Sequence, residues 1–194
     1  DTHPPLIETL QAKLVGCRIR EFHPNDLEAC LDIHRSNEPD LLDPAGFEAF
    51  LEFLAHGTSY ILVIEHEGRV VACAGLELMG ETNAARLLHA MVHRNFQHRG
   101  LGTTLLAARL SLLEPEDGQP VHVLLRARPE AGSFYGAYGF VLHSLEQDQG
   151  RALLRLTLAQ EDIEAIRAQL SQHGVEIVLN ELNESGFDET AESE

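Results

Sequence analysis

Residues 91–110, "MVHRNFQHRGLGTTLLAARL", decide how this chain is read. An apolar strand ends at Met91-Val92-His93, a polar loop carries Gln97-His98-Arg99-Gly100-Leu101-Gly102, and an apolar helix begins at once. A helix that starts straight out of a loop leaves its first N–H groups without partners, and its dipole favours an anion there. Such a loop can seat a phosphate. An ordinary glycine-containing helix start with no ligand is the alternative on these residues alone. Gly100 and Gly102 remove the Cβ atoms that would hold an anion off the backbone, and permit positive φ. Thr103 and Thr104 put hydroxyls in the first turn. A P-loop would need Lys where Thr103 stands, and a dinucleotide fingerprint a third glycine where Leu105 stands, so both classes are disfavoured. Leu101, Leu105, Ala108 and Leu112 form one stripe, widened by Leu106, Leu110 and Leu113, so the helix is expected to be buried on a broad face.

Outward from this loop the hydrophobic period alternates between strand and helix. On the N-terminal side a short helix is expected around Leu6 to Lys13, a strand at "CRIREF", a helix over "HPNDLEACLDIHRSN" with Asn25 as N-cap, and a helix over "PAGFEAFLEFLAHG". "SYILVIEHEGRVVACAGLELM" then reads as a hairpin turning at Glu67-Gly68, and "AARLLHAMVH" as the strand that enters the loop. Beyond the loop helix come a strand "VHVLLRAR", a short helix "AGSFYGAY" closed by Gly139, and a strand pair turning at Asp148-Gln149-Gly150. This order, β α α β β β α β α β β, implies an α/β (α+β) fold with a mixed, largely antiparallel sheet of six to seven strands flanked by helices. Residues 1–158 are expected to form one domain. Residues 159–180 form an extension, an amphipathic helix with Ile163, Ile166 and Leu170 on one face, Gly174 as C-cap, then the possible strand "VEIVL". Residues 181–194 form an acidic tail expected to be disordered.

With 31 acidic against 14 basic residues the formal charge is −17, which argues against nucleic acid and against an anionic membrane as partner. A cationic partner suits that field better, although six of the acids lie within residues 181–194. Cys17, Cys30 and Cys73 are odd in number and widely spaced, which suggests neither a disulfide framework nor a zinc cage and fits a reducing compartment, the cytoplasm. No apolar run reaches the roughly 18 residues of a membrane span. The opening "DTHPPLIETL" has no basic region followed by an apolar one, so no signal peptide is read there. His89 and His93, four apart on a strand, would stand about 13 Å apart, too far to share one zinc ion, and no metal is expected.

Gln97-x-x-Gly100-x-Gly102, after a strand and before a long apolar helix, resembles the acyl-CoA pyrophosphate signature of the GNAT (Gcn5-related N-acetyltransferase) superfamily. "PEAGSFYGAYGF", Pro129 to Phe140, looks like that family's later segment, a short helix carrying Phe-Tyr and closing with Gly-Phe. The order of elements is similar too, so the likeness spans about Arg18 to Leu158. The resemblance implies acetyl-CoA as cofactor, with N–H groups from His98 to Thr103, including Leu101, cradling the pyrophosphate. It places Gln97, Arg99 and Phe134 beside the cofactor. Met91 and Val92 would lie where the strand splays from its neighbour and bonds the pantetheine arm. Tyr135 matches the family's general acid near the CoA sulfur, while Tyr138 is read as packing or substrate wall. Glu77 and His89 are candidates for the base. Arg126 and Arg128 are candidates for a CoA phosphate or a substrate carboxylate, or for plain salt bridges; the family often has Asn near 128, where this chain has Arg-Pro.

The function so implied is acetyl transfer from acetyl-CoA to a primary amine of a small molecule or peptide, with a cationic acceptor favoured by the net charge. The alternative is a non-catalytic module that binds or senses acyl-CoA. A homodimer joined through the C-terminal helix and "VEIVL" is a further reading.

Overall fold

The computed structural model describes residues 5–57, 59–80, 83–116, 118–146 and 150–180. The turn residues Asp148 and Gln149 and the acidic tail 181–194 lie outside these. In chain order the elements are α1 (Pro5–Gln11), β1 (Arg18–Glu21), α2 (Leu27–Ser36), α3 (Phe47–His56), β2 (Tyr60–His66), β3 (Arg69–Leu78) and β4 (Ala84–Val92). There follow α4 (Leu101–Ser111), β5 (Val121–Ala127), α5 (Gly132–Gly136), β6 (Val141–Glu146), β7 (Arg151–Leu158), α6 (Gln160–Gln172) and β8 (Glu176–Val178). They build one sheet ordered β6-β7-β5-β4-β3-β2-β1-β8. That is eight strands, where six to seven were expected. Only β4–β5 and β1–β8 run parallel.

The β2–β3 hairpin turns where its sequence says: Glu67 and Gly68 take φ of 51° and 77°, the left-handed pair that a tight two-residue turn requires. Val70 to Leu76 of β3 are buried without a break, because this central strand is covered on both faces. One face packs Leu62, Ala74, Leu76, Leu87 and Val123 against α4, α6 and α1. The other packs Val63, Cys73 and Met91 against Leu31, Phe50 and Leu54 of α2 and α3. Held between sheet and α6, α4 is buried at every residue from Thr103 to Ser111, further round than its stripe suggested.

The C-terminal helix and strand belong to this same core. Ile163, Ile166 and Leu170 of α6 are buried against it, each worth roughly 1.5–3 kcal/mol. Arg167 donates from Nε to Ser111 O at 2.8 Å and from Nη2 to Leu113 O at 2.8 Å, satisfying carbonyls at the end of α4. β8 pairs in parallel with β1 of its own chain, Ile177 opposite Ile19.

The cap before α2 also differs from expectation. A 3₁₀ turn over Pro24–Asp26 precedes the helix, and Asp26 rather than Asn25 closes it, accepting the His23 N–H at 2.7 Å. The Asp26 carboxylate also takes a two-pronged bond from Arg20, at 2.7 and 2.9 Å. That bond, with the backbone donor, holds its pKa below the ordinary value against the opposing effect of burial. Asp26→Ala is expected to cost about 1–3 kcal/mol at neutral pH. Because the folded pKa is depressed, the stabilisation is complete above the unfolded value near 3.8 and disappears as pH falls through the folded one. Urea unfolding of wild type and variant at pH 7 and pH 2.5 checks this; a difference that does not shrink at the lower pH would refute it.

Candidate active site

Two adjoining features make the site. The first is a parting of strands. Among the described residues β4 and β5 are paired from Ala84–Arg86 to His122–Leu124, and beyond that β5 stays with β7 while β4 stays with β3, so the two part. The second is the loop from β4 to α4, where His98 and Gly100 take φ of 62° and 83°. Left-handed residues in a loop let consecutive N–H groups turn toward one side, as in an anion nest. Among the described residues none of the N–H groups of residues 98–103 finds an acceptor, the first helical donor being Thr104 to Gly100 O at 3.0 Å. They face a cleft of about 760 Å³ lined by the loop, Lys13, Val92, Phe96 and Phe134.

The loop glycines have separate reasons. A Cβ on Gly100 would stand 2.5 Å from Lys13 O and 2.8 Å from Val15 Cγ2, so here glycine serves the chain's own packing as well as positive φ. A Cβ on Gly102 would meet only Val92 Cγ2, at 3.9 Å. The threonine hydroxyls are not presented to an anion as expected. Thr103 Oγ1 is paired with the buried Tyr138 hydroxyl at 2.6 Å, and Thr104 Oγ1 donates to Gly100 O and accepts from Val15 N–H. Thr103 is left with its backbone N–H for the cleft.

Gln97 and Val92 also differ from expectation. Gln97 Nε2 donates to Asn37 Oδ1 at 2.6 Å and to Val92 O at 3.1 Å, so its side chain braces the loop. Asn37, buried at the end of α2, donates to the same Val92 carbonyl at 3.0 Å. That carbonyl is thus taken from any pantetheine arm. His93 N–H bonds Val71 O on β3, so the alternation of an antiparallel ladder turns the backbone of Met91 toward β3 as well. The backbone groups of Val92 turn instead to the parted side. The Met91 side chain is buried in the core under α2 and α3. Arg99 lies over Phe96, 5.1 Å from its ring centre, at the rim.

On the far side of the parting, Tyr135 of α5 is half-buried, its ring edge-on to Phe134 at 5.0 Å and Phe140 at 5.5 Å. No hydrogen bond holds its hydroxyl among the described residues, in contrast to Tyr138. Behind it lies a group that sequence reasoning passed over. Arg109 of α4 is 1% exposed, donates from Nε to Leu105 O and from Nη1 to Gly75 O, each at 3.2 Å, and has no carboxylate within ion-pair distance among the described residues. Burial lowers its pKa to about 10, opposed by Tyr135 and Cys73, which lie within its electrostatic reach. The signal was an arginine inside "LLAARLSLL".

The two base candidates separate. Glu77 faces Arg86 across the strands, 3.9 Å away, where β4 and β5 are still paired. His89 stands nearer the opening, on a bulge where β4 fits one extra residue between its pairings with Cys73 and Gly75, with φ of 47°. Its ring is 4.6 Å from that of Phe53, which lies on Gly75, where a Cβ would come within 2.5 Å of it. Desolvation lowers the His89 pKa, with smaller contributions from His34 and Arg151. It is therefore neutral at pH 7.

Lys13 is the cation at the loop that the motif did not reveal, since it follows α1 and reaches the cleft only in the fold; its Nζ stands 5.4 Å from the Tyr138 ring centre. Lys13→Met is expected to weaken CoA binding about five- to tenfold, with the loss shrinking in high salt. Calorimetry at two ionic strengths reads it; unchanged affinity would remove Lys13 from the site.

Residues 39–157 match the acetyltransferase (GNAT) domain family, whose cofactor is acetyl-CoA. No curated protein matches the chain by sequence. Its fold is similar to the PaiA N-acetyltransferase of Thermoplasma acidophilum in complex with coenzyme A, at 17% identity and a TM-score of 0.58, over 72% of this chain and 98% of that one. It is similar also to the ribosomal-protein-S18-alanine N-acetyltransferase of Escherichia coli, at 19% identity and a TM-score of 0.54, over 73% and 92%. A third similar structure is Ard1 of Thermoplasma volcanium, at 27% identity and a TM-score of 0.52, over 73% and 95%. The match covers more than half of the chain, and the protein belongs to the GNAT acetyltransferases.

Proposed function

We propose that the protein transfers an acetyl group from acetyl-CoA to a primary amine of a small molecule or a peptide. The observation that carries this is the run of unpaired N–H groups from His98 to Thr103 at the start of α4, beside a strand parting that leads to Tyr135. These donors, with Lys13, fit a pyrophosphate. When bound, acetyl-CoA supplies the activated acetyl thioester. Tyr135 gives its proton to the departing sulfur. His89, neutral and at the mouth, takes one from the attacking amine; Glu77, engaged with Arg86, is the less well placed base.

Calorimetric titration with acetyl-CoA and desulfo-CoA, followed by thiol release over a broad amine panel, tests the assignment. Binding with amine-dependent release is expected. Binding with no release for any amine would favour an acyl-CoA-sensing module, and no binding would remove both.

His89 can be tested through pH. Its pKa lies below the ordinary 6.5, so the basic form persists below that value and is lost as pH falls through the depressed one. His89→Gln is expected to lower kcat about a hundredfold near neutrality. The wild-type to variant ratio, in which ionisation of the amine cancels, should decline toward one at low pH. A ratio independent of pH would exclude the base role.

A further inference from the structure

The net charge alone favours a cationic acceptor; its distribution in the fold points the other way. Arg86, Arg126, Arg128, Arg151 and Arg155, five of the fourteen basic residues, lie on β4, on β5 and just after it, and on β7. The inward residues of these strands, Val121, Val123, Leu125 and Ala127 of β5 and Leu154, Leu156 and Leu158 of β7, pack toward α4. The alternation therefore puts Arg86, Leu124, Arg126, Arg151, Leu153 and Arg155 on the opposite face. This is the His89 side of the parting, and the core beneath α2 and α3 takes strand residues only from β2, β3 and β4. The register sets arginine beside leucine: Arg86 and Arg155 flank Leu124, and Arg126 stands opposite Leu153. Arg151 is close enough to His89 to act on its charge. Among the described residues neither Arg151 nor Arg155 has a carboxylate within ion-pair distance, and Arg128 donates to Leu41 O at 3.2 Å. β4, β5 and β7 carry no acidic residue; the acids on the strands beside them are Glu77 of β3, opposite Arg86, and Glu146 of β6, opposite Arg151.

We propose that the acceptor is an amine that also carries a carboxylate, held by the arginines of β5 and β7 with its apolar part on Leu124 and Leu153 and its amino group toward His89. This rests on the transferase reading. A guanidinium fork grips a carboxylate bidentately, and leaving such a group unpaired in the wrong substrate is costly, so the face discriminates by charge as well as shape.

The test compares matched amines with acetyl-CoA: amino acids against the amines formed by their decarboxylation, phosphoethanolamine, and polyamines. At least about tenfold higher kcat/KM for the carboxylate member of each pair is expected. Arg151→Met and Arg155→Met should raise its KM about tenfold, with acetyl-CoA affinity and unfolding temperature unchanged. Arg18→Met, on β1, is the control. Equal or better turnover of the carboxylate-free amines, a preference for phosphoethanolamine, or variants with unchanged KM would overturn the proposal and leave the transferase reading standing. Calorimetry of the carboxylates on the CoA-bound protein separates the two ideas. Arg151-dependent binding without transfer would support the anion site and sink the transferase reading, and absence of both binding and carboxylate-selective transfer would sink the site.

Discussion

Gly100→Ala is expected to lose stability and CoA binding together, and Gly102→Ala binding alone. At position 100 an added Cβ meets the Lys13 carbonyl at 2.5 Å and must be carried at φ of 83°. The conformation costs about 1–3 kcal/mol. The contact is with backbone, which no rotamer change relieves, and overpacking of this kind costs a further 1–3 kcal/mol or so. For a chain of this size that is a fall of roughly 5–15 °C in Tm. Any displacement of the Lys13 segment also moves Lys13 itself away from the loop. At position 102 the φ is unconstrained and the nearest atom is 3.9 Å away, so Ala fits the empty protein; in a helix it is favoured over Gly by about 0.5–1 kcal/mol. Its methyl group nevertheless stands in the cleft beside the free N–H groups, and acetyl-CoA affinity should fall at least about tenfold, since displaced phosphate loses charge-assisted bonds. Thermal unfolding and calorimetry on the two variants decide the matter. If Gly102→Ala binds acetyl-CoA as tightly as wild type, the start of α4 is not the phosphate seat.

What could be read from the sequence was what is local. The strand, loop and helix at 91–110 rest on a change of period and two glycines, and the hairpin on Glu67-Gly68. Both are settled within a few residues. The eighth strand was seen as a segment but not placed, because nothing in "VEIVL" specifies a parallel partner in β1, some 160 residues earlier. The same limit explains the site. The Val92 carbonyl looks available until Asn37, 55 residues away, is folded onto it. The Thr103 hydroxyl looks directed at a ligand until Tyr138 takes it, 35 residues on. The bulge at His89 has no glycine to announce it. The arginine face was hidden for a different reason: net charge sums over the chain, whereas a sheet separates odd from even positions and gathers one parity from strands that are distant in sequence.

Tyr135→Phe and Tyr138→Phe should have opposite consequences, and the pair tests the assignment of the acid. The two rings are one turn apart and both carry a hydroxyl, but their surroundings differ. The Tyr138 hydroxyl is spent on Thr103 at 2.6 Å in the core. Removing it leaves a buried Thr103 hydroxyl without its partner, so Tyr138→Phe should lower stability by about 1–3 kcal/mol while leaving kcat within a few-fold of wild type. The Tyr135 hydroxyl is half-buried at the parting, bound to no protein group among the described residues, and within reach of the Arg109 charge. In the transfer proposed above, electrons would leave with sulfur as the amine nitrogen bonds to the acetyl carbon and the carbon–sulfur bond breaks; a proton from Tyr135 would complete the thiol, and the phenolate left behind would lie in the field of a buried cation that water does not screen. Tyr135→Phe should therefore lower kcat about 10²- to 10⁴-fold, the range for a positioned acid, with acetyl-CoA affinity and Tm unchanged. Arg109→Met adds a control on that field. If Tyr135 works beside this charge, kcat falls in Arg109→Met but falls little further when Tyr135→Phe is added, whereas independent roles give additive losses. Full activity in Tyr135→Phe would move the proton to water, and the tyrosine would then be only the wall of the cleft.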